Sequence, residues 1–180
     1  MTAVSHPRVA ALVVAAVLAT ANCAGREATA PSCDATSRLA LVAQSMPDAS
    51  YVPCIADLPT GWSFVEAEID RGGTTIRLES DRADRPIVVT LRPSCEIGVA
   101  RPIQPSEEGT RTYQRVDSID PRYAGAFLDL FPGGCVETRY DFERGPHVAS
   151  ITELQRAIDL VSRRQLRQDL ERELGVDLDP

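Results

Sequence analysis

Lysine is absent from the 180-residue chain: all 19 basic side chains are arginine, set against 26 carboxylates for a formal net charge of −7. Nucleic-acid binding is driven largely by basic groups that neutralise phosphates, so this balance argues against such a partner. It does not favour adhesion to anionic lipid heads either. Histidine is scarce, with only His6 and His147. Neither CxxC nor HExxH occurs, so zinc has no clustered ligand set, and no EF-hand spacing offers calcium a loop. No metal and no cofactor are expected. The nucleophile motif GxSxG is missing too, and His147, in a turn-like stretch after Pro146, has no nucleophile nearby in sequence to activate. Long apolar runs are also lacking. The longest, VAALVVAAVLATA from Val9 to Ala21, has thirteen residues, whereas a bilayer-spanning helix needs about 20.

That run, preceded by Arg8 and closed by the small residues Ala19 and Ala21, has the shape of a secretory signal peptide over residues 1–22. Export makes the cysteine count informative, because disulfides persist outside the reducing cytosol. There are five: Cys23, Cys33, Cys54, Cys95 and Cys135. An odd number in an exported chain needs an explanation. Cys23 supplies one, as a lipidation candidate at the head of a small, polar, Pro-containing tether over residues 23–32. The residues before it, Thr20 and Asn22, depart from the usual lipoprotein cleavage pattern of Leu and a small residue. Ala19-Thr20-Ala21 instead suits ordinary cleavage before Asn22 and free secretion. Parity of the remaining cysteines favours the anchor. The expected location is therefore the outer face of the cell membrane, held by lipid on Cys23, or the medium. The absence of lysine together with abundant alanine points to a GC-rich bacterial coding sequence.

Residues 33–180 are long enough for one domain with a hydrophobic core. A short helix is expected from about Asp34 to Gln44, capped by Ser32 or Asp34 and ended by Pro47. Residues 50–61 read as loop. Residues 62–70 and 74–80 read as a hairpin turned by Arg71-Gly72-Gly73, residues 87–92 as an inner strand, and residues 112–118 as a poorer strand. A second hairpin flanks Pro132-Gly133-Gly134. In its second arm Val136, Thr138, Tyr140 and Phe142 alternate with Glu137, Arg139, Asp141 and Glu143, which implies one buried and one wet face. From Val148 to Leu174 the pattern is helical, but the Leu166, Leu170, Leu174 row is rotated from the Leu154–Val161 stripe. Either the helix breaks near Ser162-Arg163-Arg164 or its second half faces something else. The expected fold is α+β: an antiparallel sheet of about five to six strands covered by a C-terminal helix, with a short N-terminal helix and disulfide staples. Four cysteines allow three connectivities; the local one, Cys33 with Cys54 and Cys95 with Cys135, is favoured.

Two features invite function. Residues 93–109 form a seventeen-residue stretch without a clear element, stapled near its base by Cys95. The Leu166, Leu170, Leu174 row is a candidate docking face, with core packing as its plainer use. Arg163, Arg164 and Arg167 read as part of a salt-bridged surface rather than an anion site. The expected function is a non-catalytic binding or accessory module whose partner is another envelope protein. The competing expectation is a small secreted hydrolase that uses carboxylates from Glu66, Glu68, Glu107 and Glu108, although Glu66 and Glu68 read more simply as one solvated strand face.

Overall fold

The computed structural model describes residues 29–143 and 147–178. The expected signal peptide, Cys23 and most of the tether lie outside the described residues. Helix α1 runs Ser37–Ser45, with Thr36 rather than Ser32 or Asp34 as its cap, the threonine hydroxyl accepting from the Leu39 N–H. Seven strands then form one antiparallel sheet. They are β2 (Trp62–Asp70), β3 (Gly73–Ser80), β4 (Ile87–Arg92), β5 (Arg101–Ile103), β6 (Arg111–Ser118), β7 (Tyr123–Phe131) and β8 (Gly134–Phe142), in the spatial order β2-β3-β4-β8-β7-β6-β5. The architecture is α+β, with one strand more than the sequence pattern implies. The addition is β5, three residues inside the 93–109 stretch that pair with β6.

A separate two-stranded sheet joins β1 (Tyr51–Ile55) to β9 (Ile158–Ser162). It corrects one expectation and decides between the two left open for the C-terminal helix, which does break beside Ser162-Arg163-Arg164. Residues 51–55 are a strand, not loop, and the C-terminal helix is interrupted: α2 (His147–Ala157) leads into β9, which leads into α3 (Arg163–Leu174). His147, expected in a turn, opens α2. Pro53 is tolerated in β1 because the N–H of Ile55, on the same side of the strand, points away from β9 to the Pro31 carbonyl, so the missing donor costs no β1–β9 bond. The break falls where Ile158, Leu160 and Val161 suit an extended chain and where Ser162 caps α3 by accepting from the Gln165 N–H.

Alternation places the core. Ile76, Leu78, Ile87, Val89, Leu91, Val136, Tyr140 and Phe142 all point to one face of the sheet and are buried. In β2 a bulge at Val65 shifts the inward positions from Trp62 and Phe64 to Ala67 and Ile69. The covering layer supplies Leu39, Val42, Val52, Leu154, Leu166 and Leu170. Leu166 and Leu170 are therefore core, 1% and 0% exposed, and only Leu174 of that row reaches solvent. The rotation of the row follows from the interruption at β9, which re-aims α3 toward the same core from a different direction. Arg163 is likewise buried, contrary to its expected place on a charged surface. It donates to the Ala43 carbonyl at 2.6 Å, in the last turn of α1, where a cation is favoured.

Disulfides join Cys33 to Cys54 and Cys95 to Cys135, the local connectivity. The first ties the segment before α1 to β1; the second fastens the 93–100 loop to β8. Stable bridges of this kind belong to an oxidising environment outside the cytosol. Among the described residues no helix is long and apolar enough to cross a membrane.

Candidate functional site

The covering layer does not cover the sheet evenly. Helix α1 lies against β2 and β3, and β1 lies against β4 and β8. Toward the β5–β6–β7 end, α2 and the start of β9 overhang the sheet, and Tyr51 of β1 packs on Phe131 at the end of β7. A cavity of about 460 Å³ opens there, within the range usual for small-molecule sites. Its floor is the inward face of β7 and β8, with Phe127, Val136 and Thr138; Leu154 and Leu160 come down from α2 and β9, and Ile103 of β5 forms a wall. Ser106, Gln155, Arg156 and Asp159 stand around it as exposed residues.

One charge-bearing side chain sits on that apolar floor. Asp129 alternates with Phe127 and Phe131 along β7, and the same period-two geometry that buries the two rings turns its carboxyl inward. Thr112, directly opposite on β6, donates to Oδ1 at 2.6 Å, and Ser106 donates to the same oxygen at 3.3 Å. No donor among the described residues reaches Oδ2. Burial pushes the Asp129 carboxyl above its ordinary range, with the Thr112 and Ser106 hydroxyls pulling it partly back. The arrangement suits a ligand with an apolar body and a hydrogen-bonding head.

A raised carboxyl has a definite consequence for stability. Between the ordinary value near 4 and the raised folded value, the folded chain holds the proton more tightly than the unfolded chain does. Stability contributed by this group therefore falls as pH rises through that window and stays lower above it. Asp129→Asn keeps an acceptor for both hydroxyls and removes the charge. It is expected to be more stable than the parent at pH 7, by on the order of 1 kcal/mol, and to lose that advantage below about pH 4. Urea midpoints at the two pH values check this, and an equal gain at both would contradict it.

The four glutamates expected for hydrolysis do not converge. Glu66 and Glu68 lie on the outward face of the sheet and pair with Arg77 at 2.9 and 3.8 Å. Glu108 is exposed, and its backbone carbonyl accepts from the Tyr51 hydroxyl at 2.6 Å. Glu107 is the one with an altered carboxyl, raised by burial and then by the neighbouring charge of Asp159. Asp129, which the sequence reading passed over, carried a readable signal: a carboxylate at the inward phase of an aromatic alternation. No group of histidine, cysteine and carboxylate side chains suited to a metal ion occurs among the described residues. No protein-family model, curated protein or solved structure matches the chain.

Proposed function

We propose that this chain is an exported, non-catalytic binding module, held at the outer face of the cell membrane by lipid on Cys23 or released, that takes a small amphipathic ligand between its sheet and the α2–β9 overhang. The supporting observation is the cavity: apolar walls from Phe127, Val136, Leu154 and Leu160 around a single inward carboxyl with one oxygen left for a ligand. Such a site, mostly apolar with few fixed polar groups, is the usual form of small-molecule recognition. Export rests on the apolar segment and on the disulfides. In this reading an envelope partner would receive the ligand or the module itself.

A neutral, environment-sensitive dye such as Nile red is the first probe. It is expected to bind the native protein saturably, and Ile103→Trp, which adds an indole at the half-buried wall, is expected to weaken binding about tenfold. Dye binding indifferent to that substitution would place the dye elsewhere and count against the cavity. Intact mass of native material tests export separately, through loss of residues 1–22 and acyl mass on Cys23. The hydrolase reading keeps one observation, the raised Glu107 carboxyl beside Asp159. Turnover on a carbohydrate panel that disappears with Glu107→Gln would favour it over the binder.

A further inference from the structure

The outward face of the sheet carries a second arrangement, on the opposite side from the cavity. Strand register sets three rows across β4, β8, β7 and β6. In one row Arg139 stands beside Ala126, which stands beside Arg115. Two residues along, Glu137 stands between Thr90 and Leu128; two further along, Cys135 stands beside Arg92. Glu137 is thus flanked by arginines from the rows before and after. Its Oε2 pairs with Arg92, and its Oε1 faces Arg139 at 3.3 Å and Arg115 at 3.7 Å. Arg115 reaches across β7 because the residue between it and Arg139 is only an alanine. The Cys95–Cys135 bridge sets the 93–100 loop beside them, so that Ser94 and Glu96 close one side of a cavity of about 370 Å³.

One carboxylate cannot neutralise three guanidiniums that stay protonated at any physiological pH. Asp117 shares Arg115 at 2.9 Å, but Arg92 and Arg139 pair with no other carboxylate among the described residues. The Nε of Arg92 is buried with no acceptor. Burial, followed by repulsion from Arg139 and Arg115, lowers the proton affinity of Arg92, which shows how close the three charges stand. Glu96, the other acid of the loop wall, pairs with no arginine among the described residues. The overall acidity that argues against anionic partners is an average, and the lining of this cavity departs from it, with three arginines against Glu96 and Glu137.

We infer that this cavity binds a phosphate group, carried by a soluble phosphomonoester or by a lipid headgroup, with Arg92, Arg115 and Arg139 as its donors and Glu137 as the positioning residue that holds them apart. Planar guanidinium forks match phosphate oxygens in pairs, which makes arginine the suited donor. Inorganic phosphate at constant ionic strength is the probe, read by amide chemical shifts. Saturable shifts are expected at residues 92, 96, 115 and 139. Arg139 is the most exposed of the three at 55%, so Arg139→Gln is expected to fold normally, with an unchanged unfolding midpoint, and to weaken phosphate about tenfold. Glu96→Gln is expected to tighten it, an effect that a merely structural charge cluster would not produce. Shifts no larger than those from chloride, or an affinity indifferent to Arg139→Gln, would overturn the site. Arg139-dependent sedimentation with phosphatidic acid vesicles, and not with phosphatidylcholine, would assign the lipid source; phosphate binding without sedimentation would assign the soluble one.

Discussion

Reduction of both disulfides is expected to lower the urea unfolding midpoint by roughly 2 to 4 M, enough to leave the chain largely unfolded at 37 °C. The magnitude follows from loop closure. Cys33 and Cys54 are 21 residues apart and Cys95 and Cys135 are 40 apart, so their bridges restrict the unfolded chain by about 3 and about 4 kcal/mol. Together that approaches the whole stability of an ordinary domain, about 5 to 15 kcal/mol. The two bridges also act in different places. Cys54 is fully buried in β1, at the edge where the parallel bridge between Ser32 and Ile55 continues the small sheet. Cys135 lies on β8 under the 93–100 loop, on the outward face of the sheet, and is itself buried. Replacing Cys95 and Cys135 by serine is expected to cost slightly more than replacing Cys33 and Cys54. Coincident midpoints with and without reductant would mean that the bridges are not formed in the isolated protein.

Gly133→Ala is expected to cost about 3 kcal/mol or more, lowering the melting temperature by roughly 6 to 12 °C. Two costs combine at this position. Gly133 has φ +81°, which an L side chain adopts at about 1 to 2 kcal/mol. A Cβ there would also stand 1.7 Å from the Asp48 carbonyl oxygen, and backbone cannot move aside as a side-chain tip can. The β7–β8 turn would have to lift away from the connection between α1 and β1, losing the bond from the Ser50 N–H to the Pro132 carbonyl. Gly72 is the matched comparison. Its φ is +91°, yet a Cβ added there would meet nothing within 4 Å, so Gly72→Ala is expected to cost only the conformational part, about 1 kcal/mol. Calorimetry on the two variants separates packing from conformation, and equal melting temperatures would refute the packing argument.

The two positions also show why some elements are legible and others are not. The hairpin turned at Gly72 is local: apolar alternation on both arms and glycine between them specify it within about twenty residues. The same holds for β4, rich in β-branched residues, and for β8, where Val136 to Phe142 alternate cleanly. Strands β1 and β9 are different. More than a hundred residues separate them, and neither has a partner in its own neighbourhood. Tyr-Val-Pro-Cys-Ile contains a proline, and Ile-Asp-Leu-Val-Ser continues a helical stripe at acceptable spacing. Each becomes a strand because the other lies alongside it. The Leu166 row follows the same logic: its rotation was visible in the sequence, whereas its burial depended on where β9 aimed α3.

Local chemistry alone was sufficient for the acidic, lysine-free composition, the central hairpins, the α+β class and the favoured cysteine pairing, because period, turn residues and short loop closures act over neighbouring positions. The uneven cover over the sheet, the overhang of α2 and β9 that encloses Asp129, and the three arginines gathered on Glu137 were decided only when distant strands came into register. Each of these brings together groups whose separate sequence contexts look like ordinary surface, and only the folded arrangement makes them share one dielectric and one small volume.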